Sequence, residues 1–576
     1  MSSAVSSPVT AGRGLWRWFV ALVATIALVV SGSGLVVFAQ SGDGQSQGPV
    51  FVPADMGFYL EARLDRPAGQ DEALAQFMSA FPGFADPGSF DLTINELVAG
   101  LEAQAGISGL QGDLIGDVLT GEVGVALGDL GAAIGQGTDP TMLIGLALAD
   151  AASVTAAVEA QTAGGSFTSS TYNDVTIYTD DTQSPPMSVA VDGDWLLIGT
   201  STELVQSSID TLAGTSPSLA ASEAYTTAVS RLPTARLAAV YMDSAAMGDL
   251  VSGSMSMAGG SGMSLPTGDL AAMLPTSMVA ALSAASDRLT LDVHVTPGAG
   301  TPTVAMGDSQ LATHFPADTQ LYLEVRNLGA AIEAGLNQLA ASMPASADGT
   351  AGDSASQIAA LFSDTGPIAA MFNGVPLPKL FDFVGDASLG AGLNADGLWL
   401  GIAGEVTDQT AAAARLTSLS TVLRMAMASM SDQGVSISTD TVGGVDVTTI
   451  TLPLDQTMAQ SGVPIPVGNT ISFALDGDTL LVGLGDFVTT AIESDGSDSL
   501  ATDPGYVDAL AGDTTNAGVL YANVNSLVTV LDPMLQAMSP EWASISPYAS
   551  ALDRMIVVGT ADDQAISSRI SVIVNQ

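Results

Sequence analysis

No cysteine occurs among the 576 residues. That absence excludes disulfides, a thiolate nucleophile, Cys-ligated zinc and a cysteine-linked lipid anchor. It does not fix the redox compartment, because an exported chain can do without disulfides. Basic residues are nearly as scarce, 13 against 60 acidic ones, for a formal net charge of −47. The one lysine is Lys379. A surface this acidic repels nucleic acid and anionic headgroups, which excludes nucleic acid as a partner, and it favours solubility. Histidine is limited to His294 and His314. No G-x-S-x-G, H-E-x-x-H or phosphate-loop pattern is present. The chain is therefore read as a non-enzyme with no cofactor and no dedicated metal. A carboxylate-only glycosidase-like site is the enzymatic arrangement that composition leaves open.

What is present is apolar. Hydrophobic residues make up 47% of the chain, enough for a sizeable core in more than one domain. The first apolar run, Phe19 to Ala39, follows Arg13, Trp16, Arg17 and Trp18. As a helix rising 1.5 Å per residue it spans roughly 32 Å, about one bilayer core. The expectation is a cytoplasmic N-terminus at 1–17 and a transmembrane signal-anchor at 18–40, with the bulk of the chain extracytoplasmic. The alternative is a cleaved signal peptide and a secreted chain. Residues 41–51 read as a flexible spacer.

Beyond the spacer the sequence is written twice. "VPADMGFYLEAR" from Val52 is answered by "FPADTQLYLEVR" from Phe315. "GEVGVAL" at Gly121 is answered by "GDASLGA" at Gly385, and "VAVDGDWLLIG" at Val189 by "FALDGDTLLVG" at Phe473. "SLAASEAY" at Ser218 pairs with "SLATDPGY" at Ser499, and Tyr241 with Tyr521. The matches stay collinear, which predicts two tandem modules, 52–297 and 315–576, joined by a linker at 298–314. Each module opens on an alternating strand, continues through a helix, two apolar strands and a second helix, and then enters hairpins. Asn173-Asp174, Gly443-Gly444 and the Asp-Gly pairs at 192 and 476 are hairpin turns. Asp150 is a helix N-cap. The fold class is α+β, each module a mainly antiparallel sheet with helices on one face.

The P-A-D-x-x-x-Y-L-E-x-R opening, the "DGDTLLVG" hairpin and the "SLATDPGYVDAL" segment resemble the bacterial family of domain of unknown function 3352. The resemblance implies an exported or membrane-anchored protein, and it carries no catalytic or binding residue with it.

The best-placed polar residues are Glu61 and Arg63 and their repeats Glu324 and Arg326, which project to one face of the opening strands. They read as a structural ion pair or a brace to a carbonyl, with an anion-binding arginine as the functional alternative. The Asp-rich stretches do not match a calcium-loop pattern. The Gly/Ser-rich stretch holding Met247, Met255, Met257, Met263, Met273 and Met278 reads as a loop offering flexible packing rather than copper ligation. The functional expectation is non-enzymatic binding or scaffolding at the cell envelope, with a protein, glycan or apolar ligand as partner. The alternative is a carrier or chaperone for a lipid or other apolar ligand. The oligomeric state is left open.

Overall fold

A computed structural model describes residues 46–575, apart from 64–66, 68, 85–118, 131–140, 164–166, 183–184, 258–273, 302, 309, 334–374, 376–378, 395–396, 429–433, 453–467, 495 and 540. The expected membrane segment at 18–40 lies outside the described residues. Among the described residues no helix is long and apolar enough to cross a membrane. The chain divides into two compact units, Met1–Thr303 with Asp562–Gln576, and Val304–Ala561.

The first unit is an antiparallel sheet. Its strands are β1 (Phe58–Arg63), β2 (Leu119–Gly128), β3 (Thr141–Leu148), β4 (Phe167–Tyr172), β5 (Val175–Asp180), β6 (Met187–Asp192), β7 (Trp195–Gly199), β8 (Ala238–Asp243), β9 (Ser277–Ala284) and β10 (Arg288–Thr296). Pairing runs β4-β5-β6-β7-β3-β2-β1-β8-β9-β10. The last strand of the chain, Ile566–Val574, then adds to β10, with His294 opposite Ser567. The division into compact units accordingly places Asp562–Gln576 with the first unit, where the sequence alone puts them at the end of the second module.

The second unit carries β11 (Gly307–Asp308), β12 (Leu321–Val325), β13 (Val384–Asn394), β14 (Gly397–Val406), β15 (Ser436–Val442), β16 (Val445–Thr451), β17 (Thr470–Asp476), β18 (Thr479–Leu484), β19 (Thr515–Asn516), β20 (Gly518–Asn523) and β21 (Leu552–Ala561). Its main sheet runs β15-β16-β17-β18-β14-β13-β12-β20-β21. β11 and β19 form a separate short ladder.

Turn chemistry explains the hairpins. Asn173 and Asp174 both hold positive φ between β4 and β5, as Gly443 and Gly444 do between β15 and β16, the geometry of a tight two-residue turn. In the next hairpin Asp192 pairs with Trp195, so the turn residues are Gly193-Asp194 rather than Asp-Gly, with glycine taking the positive φ. Asp150 caps the helix Ala151–Thr162 by accepting from the N–H groups of Ala152 and Ser153.

Helices cover both faces of the first sheet, not one. One face gathers Phe51, Tyr59, Tyr241 and Leu197 against the helices Thr202–Leu212 and Glu223–Val229, the latter contributing Tyr225. The opposite face gathers Phe58, Val125, Leu127, Met142, Ile144 and Met242 under Ala246, Met247 and Leu250 of the helix Ser244–Met257. A strand buried on both faces needs a cover on each side. The start of the Met-rich stretch is that cover rather than a loop, while Met263 and Met273 lie outside the described residues. The expected spacer is also shorter: Gly48–Val50 is a 3-10 turn and Phe51 is fully buried. Likewise the end of the expected linker, Leu311–His314, is a 3-10 turn with Leu311 and Ala312 buried.

Candidate functional site

The four sequence-nominated residues lie on the concealed face of their strands. Alternation puts Tyr59, Glu61 and Arg63 on one side of β1, and Tyr322, Glu324 and Arg326 on one side of β12 and its end. All six are buried. A buried charge needs an opposite charge and hydrogen bonds around it, and each strand receives these from its neighbours.

In the first unit Glu61 is met by Arg236. Glu61 takes a two-pronged contact from Arg236, Nε at 2.9 Å and Nη2 at 2.8 Å, and a hydrogen bond from the Ser46 hydroxyl. Arg63 faces Glu122, its register partner on β2, at 3.6 Å. Glu122 Oε2 also accepts the Gly48 N–H at 2.5 Å, the Gln47 N–H at 2.8 Å and the Ser46 hydroxyl at 3.0 Å. A register irregularity between Leu119 and Val123 aims Glu122 here, with Gly121 taking the positive φ that such a bulge demands. Burial first, and the nearby Glu61 carboxylate second, push the Glu122 carboxyl up to about 7, against the pull of the Gly48 N–H, Arg63 and Ser46. Burial and then Glu61 also hold the Tyr59 phenol well above its ordinary value. Gly48 is fixed by space, since a Cβ there would collide with the Tyr59 hydroxyl.

In the second unit the pair is direct. Arg326 Nη1 lies 2.7 Å from Glu324 and 2.9 Å from Asp386, and Nε donates to the Asn516 carbonyl at 3.0 Å. Nη2 donates to the Asn516 side chain at 2.7 Å, and Tyr322 donates to Glu324 at 2.8 Å. Asp386 sits beside a register irregularity between Val384 and Ala387, as Glu122 does on β2. A cavity of about 480 Å³ opens beside this cluster. Its walls carry the carboxylates of Asp308, Glu324, Asp386, Glu405 and Asp478, with Arg326 and His314. Burial moves the His314 imidazole below its usual value, although Asp476 and Asp478 pull the other way.

Sequence reasoning missed Glu122, Asp386 and Arg236. A signal for the first two exists: an acid follows glycine in both "GEVGVAL" and "GDASLGA". Arg236 gives no such signal, since the residue at the matching register in the second unit is Asn516. The other candidates resolve into local roles. His294 meets the Ser567 hydroxyl at 2.7 Å as a cross-strand pair. Asp503, from the acidic stretch, caps the helix Pro504–Leu510. Among the described residues no group of three His, Cys, Asp or Glu could hold a metal ion.

A second feature lies on the other side of β12. Leu520, Leu323, Leu389 and Ile402 stand in register across β20, β12, β13 and β14, and Leu321 and Leu400 flank Ala391 in the neighbouring row. All six large residues are 38–44% exposed. In the first unit, at the matching register, Val125 and Leu127 are 1% exposed and Phe58, Met142 and Ile144 are partly buried, packed with Ala246, Met247 and Leu250 of the helix Ser244–Met257. The helix after β20, Val524–Met538, packs on β21 instead.

These strands and clusters fall largely within a stretch matched by a family model, and the chain belongs to that family, described as "Protein of unknown function (DUF3352)", through residues 119–554. No curated protein matches the chain. Among solved structures, crystal form I of TP0453 is similar at 12% identity and a TM-score of 0.24, over 45% of this chain and 82% of that one. Crystal form III of TP0453 is similar at 11% identity and a TM-score of 0.25, over 45% and 84%. Likeness at that level carries no argument about fold or function.

Proposed function

We propose that this chain is a non-enzymatic binding or scaffolding protein of the cell envelope, anchored through Phe19–Ala39, with two copies of one module outside the membrane. Support for the duplication comes from pairing order, since β4-β5-β6-β7-β3-β2-β1-β8-β9 is answered strand for strand by β15-β16-β17-β18-β14-β13-β12-β20-β21. Tyr59 faces Tyr241 as Tyr322 faces Tyr521. Pro53 bridges Ser218 as Pro316 bridges Ser499.

The observation that carries the binding reading is the open leucine and isoleucine face on β20-β12-β13-β14. Contiguous apolar surface of this kind marks interaction sites in soluble domains. The first unit supplies the template for what fits, because there the matching face is closed by an uncharged seam of Ala246, Met247 and Leu250 on a helix. The partner of the second unit is accordingly an apolar helix of another envelope protein. The carrier reading draws no such support, since the 480 Å³ cavity is lined by carboxylates and suits a polar ligand.

Site-specific photocrosslinking of the full chain in its native membranes tests this. A crosslinker at Leu389 should trap a discrete protein adduct, and the same group at the exposed helix position Glu159 should not. Equal labelling at the two positions, or none at Leu389, would remove the binding reading.

A further inference from the structure

Two buried acids of the first unit meet at one hydroxyl. Ser46 Oγ lies within hydrogen-bond reach of Glu61 Oε2 and, at 3.0 Å, of Glu122 Oε2. A serine hydroxyl has one hydrogen to give and lone pairs to accept with. If both acids are ionised, one of these contacts holds no hydrogen, and two carboxylates crowd one oxygen inside the protein. One proton on Glu122 resolves the arrangement. Glu122 then donates to Ser46, Ser46 donates to Glu61, and Glu61 keeps its charge for the two-pronged contact with Arg236. Glu122 Oε2 still accepts from the Gln47 and Gly48 N–H groups, so one carboxyl seats three consecutive residues. The far end of this stretch is fixed independently: Phe51 is fully buried, its ring lies against Trp195, and its carbonyl accepts from Ser208 and Thr211.

We propose that a proton held along Glu122, Ser46 and Glu61 latches residues 46–50 onto the first sheet, and that its loss as pH rises lets this segment open while the sheet stays folded. The surroundings single out Glu122 as the group that titrates. Burial and the Glu61 carboxylate favour its protonated form, while the Gly48 N–H, Arg63 and Ser46 pull the other way, and the balance sits at about 7. Tyr59 on β1 and Tyr225 on the helix Glu223–Val229 face the same acids, but burial raises both phenols and keeps them neutral. Tyr241 on β8, packed edge-on against Tyr225, is raised in the same way. The segment itself, Ser-Gln-Gly-Pro-Val, brings no charge. Opening it admits water to Glu122 and removes the burial that lifts the carboxyl, so the open form holds the proton less tightly. The closed form is therefore favoured below about 7 and loses ground as pH rises through that value.

Native-state hydrogen exchange of the full chain tests this, with protection corrected for the intrinsic exchange rate at each pH. The Gln47 and Gly48 amides should exchange through a local opening, with protection at least about tenfold below that of β8 in the same unit. Between pH 6 and pH 8 their protection should fall by about three- to tenfold. Glu122→Gln, which cannot ionise, should abolish that fall. Ser46→Ala, at a half-buried position that the fold can spare, should lower protection at pH 6 more than at pH 8 and so flatten the profile. Protection equal to that of β8 at every pH would mean that the segment opens only with the whole unit, and would overturn the latch. So would a profile independent of pH in the parent chain, a fall that persists in Glu122→Gln, or a Ser46→Ala profile identical to the parent's.

Discussion

Glu122 makes the strongest quantitative claim on this structure. Its carboxyl titrates at about 7 in the fold, against 4.5 for the free group, because burial and Glu61 outweigh its donors. A folded value raised above the unfolded one means that the native state holds the proton more tightly. Stability from this group therefore grows as pH falls from 7 toward 4.5, and the cost is fully present above 7. Each pH unit in that window is worth about 1.4 kcal/mol, so between pH 8 and pH 5 the change amounts to roughly 2–3 kcal/mol. Other acids in this very acidic chain also titrate, so the effect must be read as a difference. Glu122→Gln keeps the shape and cannot ionise. Urea unfolding of the full chain and of the variant, followed at pH 8, 7, 6 and 5, should show the variant gaining on the parent by about 2–3 kcal/mol more at pH 8 than at pH 5. A gap that stays constant across those four pH values would refute the reasoning, because it would mean that Glu122 is no harder to ionise in the fold than in the unfolded chain.

Three further outcomes follow from the same contacts. Arg236→Ala should cost the first unit about 3–5 kcal/mol in urea unfolding, since it strands the buried Glu61 charge. Gly390→Ala should destabilise the second unit by about 1–3 kcal/mol, because the added Cβ would overlap the Phe315 ring; a thermal melt reads this directly. Leu389→Glu should shift unfolding by no more than about 0.5 kcal/mol, whereas Val125→Glu at the matching register should lower it severely, as burying an unpaired charge does. A Leu389→Glu chain that failed to fold would mean that the face is part of a core.

The hairpins were legible in the sequence because turn residues declare themselves. Asn173-Asp174 and Gly443-Gly444 accept positive φ where most residues resist it. The duplicated opening was legible because Pro-Ala-Asp and the alternating strand repeat as letters. Partners were harder. A period of two says that Glu61 and Arg63 share a face but not which residue meets them, so the contacts of Glu61 with Arg236 and of Arg63 with Glu122 emerge only with the register of β1 against β2 and β8. The pairing of Ile566–Val574 with β10 escaped for the same reason, since a partner distant in sequence leaves no local signal. The helix Ser244–Met257 looked like a loop because its glycines and serines are poor helix formers. Burial of Ala246 and Met247 against the sheet overrides that propensity.

The seating of Ser46 to Phe51 against the first sheet shortens the leash. If the proposed anchor Phe19–Ala39 sits in a bilayer, six residues, 40–45, separate it from Ser46, and a stretch of six residues cannot exceed roughly 20 Å. On that proposal the first unit would sweep a thin layer above the membrane, and a partner would have to come to that layer rather than be sought across a wide gap.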